Sequence, residues 1–513
     1  MTGAKILMLI AIVLYLAAML VIGWLYSRRT KDVGDFYLGG RRLGPLTAAM
    51  SAEASDMSSW LLLGLPGVAY ISGVADAAWT AIGLAVGTYL NWLIVARRIR
   101  AYTARTHSIT VPDFFSKRYG DKRNVLSCIA ALVIIVFFVP YTASGFAACG
   151  KLFRSLFGVS YMPAMLLSAV VIVGYTVLGG FMAASMTDLI QSVVMTMALI
   201  VVFAFGISAA GGMGAVMENA RALPGYLSLK QTYDVSSGAA GAYGALTIVS
   251  TLAWGLGYFG MPHILLRFMA IENAGKLKLS RRVASVWVVI SMAAAVMIGV
   301  VGSAISRAGA IETFTTGSEA ETIIIRIADL IASHGWLAAL VGGVILAGIL
   351  AATMSTADSQ LLAAASSVSQ NLFRDFLHIQ MSEKKAMIVA RSSVVVISIV
   401  AAFIAADPNS SVFNIVSFAW AGFGAAFGPV VLFALFWRRS TGKGALAGMI
   451  TGGAMVFIWK YLVRPMGGAW NIYELLPAFI VASVAIVVVS LLDKAPDAAV
   501  TAEFDAVQRE LNG

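Results

Sequence analysis

The sequence predicts an all-α polytopic membrane protein of about thirteen transmembrane helices, and three observations carry that prediction. Apolar residues make up 60% of the 513-residue chain and charged residues 12%, against roughly 45–50% and 25% in soluble domains. The charges are clustered, with long runs between them that carry none. Those runs are long enough to cross about 30 Å of hydrocarbon as helices. A soluble fold of this length could not hide so much apolar surface.

The first run, 6–26, follows one lysine and precedes Arg28, Arg29 and Lys31. A signal peptide has its positive region first, a shorter apolar core and a small-residue cleavage site, so the run reads as a retained helix. Further spans are expected at 46–70, 76–96, 124–150, 161–180, 187–210, 241–266, 283–306, 336–370, 387–405, 412–436, 444–463 and 473–492. An odd number puts the termini on opposite sides. Counting from the loop 27–45, alternate loops hold 25 Lys/Arg on one side and 9 on the other. The basic excess marks the cytoplasmic side, which places the N-terminus outside and the tail 493–513 in the cytoplasm. The net charge of +11 is therefore a topology signal, and a nucleic-acid partner is not expected. The longest loops, 97–123, 211–240 and 307–335, have 27 to 30 residues, too few for a soluble domain. The tail is short, polar and mildly acidic, and reads as a solvated helix or a disordered segment.

Other classes fall away. Cys128 and Cys149 lie 21 residues apart in one apolar run, about 30 Å if helical, too far for a disulfide. His107, His263, His334 and His378 build no metal spacing. No P-loop is present, so ATP-driven transport would need another subunit, and no nucleophile–base pair or metal cluster suggests an enzyme. No obligatory protein partner is evident; the bilayer is the partner the composition demands.

Two spans contain the residues that interrupt helices. The second places Glu53, Asp56 and four serines, Ser51, Ser55, Ser58 and Ser59, in mid-membrane, followed by Gly64, Pro66 and Gly67. An ionised group at that depth is costly unless paired or wet, which marks a functional site; a structural polar knot between helices is the bland alternative. The seventh carries Gly255, Gly257, Gly260 and Pro262 in nine residues, enough to weaken any helix. These glycines match G-x-G-x-x-G, but that fingerprint needs a strand before it, and here it lies in an apolar span. Interruptions five spans apart point to two inverted five-helix repeats, 46–210 and 241–436. One extra helix then precedes them (6–26) and two follow (444–492). Unwound backbone exposes carbonyls for a cation and presents positive helix ends to an anion. In the ninth span Ser355, Asp358 and Ser359 share one helix face, an arrangement of oxygens suited to a hard cation. Serines bonding back to the helix would explain the hydroxyls but not Asp358. The eleventh span, 418–429, mixes glycine, aromatics and proline, as packing or as a gate.

These stretches resemble the sodium:solute symporter family, on the side of its bacterial proline carriers, over nearly the whole chain. The resemblance is most specific at Ala54–Ser58 with Leu65–Gly67, Trp254–Gly260, Pro262–Ile264, Met354–Thr356 and Trp420–Pro429. It implies the leucine-transporter-like five-plus-five inverted-repeat fold and sodium-coupled symport of L-proline across a bacterial inner membrane. Another amino acid, a monocarboxylate or a sugar is the alternative solute. It further implies a sodium site on Ala54, Met57, Ala352, Ser355 and Thr356, with Asp56 tied to sodium dependence. The implied proline pocket uses Ser58, Ser59, Tyr141, Trp254, Tyr258 and Pro262. Ser59 replaces an expected glycine, and Ser359 stands where some members carry cysteine. Asp188 is placed by the resemblance near the Ser355 helix. With Ser355, Asp358 and Ser359 it suggests a second cation position, and three readings stay open there: a second sodium, a shared proton, or Asp358 paired with a basic group.

Overall fold

A membrane span must satisfy its own backbone hydrogen bonds, so a sequence of this kind is confined to helices. The computed structural model describes residues 2–28 and 32–512; Arg29 and Lys31 of the first basic cluster lie outside the described residues. Among the described residues ten helices are long and apolar enough to cross a membrane, from Gly3–Tyr26 to Leu475–Leu492. The expected fifth and sixth spans are one 49-residue segment, Tyr161–Ala209, instead of two helices joined by a loop. Gly180, at φ 63° and ψ −163°, breaks it. Glycine carries no Cβ to forbid that conformation, so one residue does what a loop was expected to do.

Two further segments are interrupted. The first runs from Pro45–Ser59 through a π turn, Trp60–Gly64, into Leu65–Ser72. The second runs from Ala245–Leu252 through a 3-10 stretch, Ala253–Gly260, into Pro262–Ala270. Both lie deep in the bundle. Every residue from Ala48 to Gly64 is buried, as is every residue from Ile345 to Ser366 of the helix Trp336–Ser366. Helices apolar or small on all sides belong at the centre. Peripheral helices such as Glu383–Ile404 instead turn Ile388, Val396 and Phe403 outward. The second interruption approaches the helix Val74–Leu90 so closely that a Cβ on Gly87 would run into the backbone of Gly255.

Two expectations change. Arg267, counted among the loop charges, lies on Pro262–Ala270 and is 1% exposed; the helix continues four residues past the expected end because its side chain finds partners inside the bundle. The tail forms a helix, Ala498–Asn512, that docks through buried Phe504 and Val507. Arg105 pairs with Glu503 at 2.8 Å and Arg438 with Asp505 at 2.8 Å. An apolar pair three residues apart gives the helix one sticky face, which counting charges overlooks.

Candidate functional site

Ser58 is the hinge of the first interruption. Its backbone sits at φ 49° and ψ −173°, and its hydroxyl accepts the Trp60 N–H at 3.1 Å. A bend there releases the carbonyls of the preceding turn from helical pairing. One of them, Ala54 O, accepts the Ser355 hydroxyl at 2.8 Å across 301 residues of sequence. Ser355 and Thr356 hydroxyls also reach Ala352 O, at 3.1 and 3.2 Å. Four of the five expected sodium ligands, Ala54, Ala352, Ser355 and Thr356, thus meet at one junction of the first broken helix and Trp336–Ser366. Hydroxyls that hydrogen-bond to these carbonyls can turn their lone pairs to a hard cation without rebuilding the backbone. Met57 is buried beside them and lines the neighbouring cavity.

That cavity is aromatic. Asp56, Met57, Trp60, Leu84, Tyr141, Trp254, Val416 and Trp420 enclose it, and only about 10 Å³ is open, roughly one water's worth. A second cavity of the same size is lined by Ser58, Ser59, Thr356 and Gln360, and Tyr141 stands between the two. Tyr141 donates to the Asp56 backbone carbonyl at 3.2 Å, and Tyr258 donates to the Asp56 carboxylate at 2.5 Å. The Tyr258 carbonyl accepts from Asn91 at 3.0 Å, and the Trp254 carbonyl accepts from the Trp420 indole at 2.7 Å. Backbone freed by the second interruption is thereby satisfied by side chains, as a buried unwound segment requires. Pro262 starts the next helix below this stretch. Opening the cavity to a solute of proline's size requires the aromatic walls to part.

One roof closes it. Phe413 lies 5.6 Å from the Trp254 ring and 6.0 Å from the Trp60 ring, while Tyr473 stacks on Trp254 at 5.0 Å. Glu321 holds the Phe413 segment by accepting the N–H groups of Val412 and Phe413 at 3.2 and 3.1 Å, and it pairs with Lys151 at 2.6 Å.

Asp188, Asp358 and Ser359 also come together, but around a guanidinium. Arg267 Nη2 lies 3.1 Å from Asp188 and 2.5 Å from the Ser359 hydroxyl, and Arg267 Nε lies 3.0 Å from the Ser51 hydroxyl. Ser51 in turn donates to Asp188 at 2.6 Å. Ser359 donates to Asp358 at 3.0 Å, and Tyr175 donates to its other oxygen at 2.8 Å. Sequence reasoning missed Arg267, Phe413, Tyr473 and Tyr175. For Arg267 a signal was there: with only His263 for polar company, it sits in the otherwise apolar run 261–271, nine residues before the next lysine or arginine.

Two interrupted helices meeting over a central helix, with freed carbonyls and hydroxyls at the crossing, define a secondary transporter of the leucine-transporter type. Solved transporters share the architecture. A sodium-coupled sialic acid symporter, in a substrate-bound outward-open state, superposes with a TM-score of 0.77 at 17% identity, over 96% of this chain and 99% of that one. MhsT in complex with L-phenylalanine superposes with a TM-score of 0.54 at 15% identity, over 88% and 98%. The sodium:solute symporter family model matches residues 36–452. The chain belongs to the sodium:solute symporter family. It is 42% identical to the sodium/proline symporter of Escherichia coli (strain K12) over 498 residues, 97% of this chain and 95% of that protein. It is 39% identical to the osmoregulated proline transporter OpuE of Bacillus subtilis (strain 168) over 504 residues, 98% of each.

Proposed function

We propose that the chain is a carrier, not an enzyme, that moves L-proline into a bacterial cell by alternating access, driven by inward sodium flow. The observation that carries this reading is the Ser355 hydroxyl seated on the Ala54 carbonyl beside the Asp56–Tyr141–Trp254 cavity. The names and identities of the relatives support both the solute and the ion. In this reading Ala54, Met57, Ala352, Ser355 and Thr356 hold sodium. Asp56 couples the ion to the solute through Tyr258, and Ser58, Ser59, Tyr141, Trp254, Tyr258 and Pro262 form the proline pocket. Sodium would clamp the first broken helix to Trp336–Ser366 and so favour the solute-ready state. Positive helix ends at the two interruptions suit the proline carboxylate, and the aromatic walls suit its ring.

The interrupted segments, each taken as one crossing, and the break at Gly180 support thirteen crossings: an extra helix at 6–26, repeats at 46–210 and 241–436, and two helices at 444–492. Without Arg267 the Lys/Arg asymmetry is still 24 to 9, which supports an inner-membrane orientation with the N-terminus outside and the tail in the cytoplasm.

Uptake of labelled proline into proteoliposomes, with and without an inward sodium gradient and against competing amino acids, monocarboxylates and sugars, tests the reading. Sodium-stimulated uptake displaced best by unlabelled proline is expected. Uptake indifferent to the gradient refutes the coupling, and a better competitor reassigns the solute.

A further inference from the structure

Arg267 holds a position that the transport reading leaves unexplained. It is 1% exposed, its partner Asp188 is 0% exposed, and a buried charge survives only with compensation close at hand. The two carboxylates of the cluster, Asp188 and Asp358, are linked through one relay: Asp188 to Arg267, Arg267 to Ser359, Ser359 to Asp358. Two carboxylates so placed repel unless a cation stands between them. Here the cation is covalently part of the chain.

We propose that the Arg267 guanidinium is a tethered cation that does at Asp188 what a second sodium would otherwise do, and so sets the coupling at one sodium per proline. The proposal rests on the sodium/proline reading above. Charge counting supports it. With both acids ionised, two carboxylates and one guanidinium leave a single negative charge. That charge lies one helical turn from Ser355, whose hydroxyl is on the Ala54 carbonyl. One sodium at that junction completes neutrality. Remove the guanidinium and the same cluster needs two mobile cations. The two acids of the first broken helix itself face elsewhere, Glu53 to the Trp92 indole at 2.9 Å and Asp56 to Tyr258. A tethered cation also cannot leave with the solute, so it balances Asp188 throughout the cycle without being carried.

Arg267 ties together four elements: the second broken helix that bears it, the first through Ser51, Tyr161–Ala209 through Asp188, and Trp336–Ser366 through Ser359. A mere strut would therefore also lose stability on substitution, and the decisive readout is stoichiometry. Reversal potentials of proline-coupled sodium flux in proteoliposomes measure it. A ratio of one is expected for the wild type and for Arg267→Lys. Arg267→Gln should move the ratio toward two, with the sodium Hill coefficient rising from about one to about two and half-saturating sodium rising roughly tenfold. Adding Asp188→Asn to Arg267→Gln should return the ratio to one. A wild-type ratio of two overturns the proposal, as does an active Arg267→Gln whose ratio and sodium dependence are unchanged. If Arg267→Gln carries no flux, sodium bound per purified protein decides: two in the variant against one in the wild type supports the proposal, and equal counts overturn it. Failure of the transport reading looks different, since the wild type itself would then show no sodium-dependent proline flux.

Discussion

The two interrupted helices break in opposite ways. In the first, helix resumes after one residue, Ser58, in a positive-φ conformation and a π turn. In the second, eight residues from Ala253 to Gly260 wind as 3-10 helix, and Met261 is extended before Pro262 restarts the helix. The first keeps its polar side chains: Ser51, Glu53 and Asp56 reach partners in other helices, and Ser58 holds the bend itself through the Trp60 N–H. The second has few polar side chains and offers backbone and aromatic surface. A chain can therefore open a membrane helix sharply, to aim a few carbonyls, or gradually, to build a wall with glycine allowing neighbours in. The junction proposed for the ion is built on the first kind of break, and the aromatic cavity lies between the two, lined by Asp56, Met57 and Trp60 from the first and Trp254 from the second.

The contrast can be broken where the second interruption meets its neighbouring helix. Gly87→Val should be the most damaging substitution, because its Cβ meets the Gly255 backbone and no flexible side-chain end is there to move aside. Overpacking of this sort costs about 3 kcal/mol or more; loss of folded protein in the membrane and of uptake is expected, and normal thermal stability would show that the unwound stretch is pliable. Next comes Trp254→Ala, which removes the ring touching Trp60, Phe413 and Tyr473. Proline uptake affinity should fall at least tenfold, about 1.4 kcal/mol or more, and near-normal affinity would take Trp254 out of the pocket.

Thr356→Ala probes the first break instead. Because coupling is reciprocal, half-saturating sodium for proline binding and half-saturating proline for sodium binding should rise by the same factor, about three- to tenfold. A change in maximal velocity alone would remove Thr356 from the ion site. Ser58→Gly sharpens the comparison with a smaller effect. Glycine favours the φ 49° backbone but gives up the hydroxyl that accepts the Trp60 N–H, so the two changes, each about 1 kcal/mol, should nearly cancel in thermal stability. A large destabilisation would mean that the hydroxyl, not the backbone, holds the bend.

The smallest effect is expected far from both breaks, at the docked tail. The hydrogen-bonded Arg438 guanidinium holds the Asp505 carboxyl below the usual carboxylate range. A depressed value means that the pair's contribution is complete above the ordinary value of about 3.9 and is lost as pH falls through the lowered one. Protection of 498–512 from protease should thus be flat across neutral pH and weaken only in acid or high salt. Asp505→Asn should weaken that protection while leaving uptake within about twofold.

Much of this was legible in the residues. Hydropathy marked the spans, and the interruptions showed because proline, glycine and clustered polar residues are local facts. Ser355, Thr356, Trp254 and Tyr258 were likewise legible through short stretches that resemble a known family. Arg267 was read as a loop charge because one charge beside a helix end looks the same whether it snorkels outward or turns in. The tail looked solvated because its charges outnumber Phe504 and Val507.

The sequence by itself determined that this protein lives in a membrane, where its helices fail and which residue types gather at each failure, since hydropathy and backbone preference act within a few residues. Only the tertiary structure decided that Ser355 meets Ala54 and that Gly180 turns the chain without a loop. It also decided that Phe413 and Tyr473 cover Trp254, and that Arg267 faces Asp188. Those outcomes join residues 79 to 301 positions apart, or depend on how closely neighbours pack. Pairings at such range are set by which helices fit together, and no local preference encodes them.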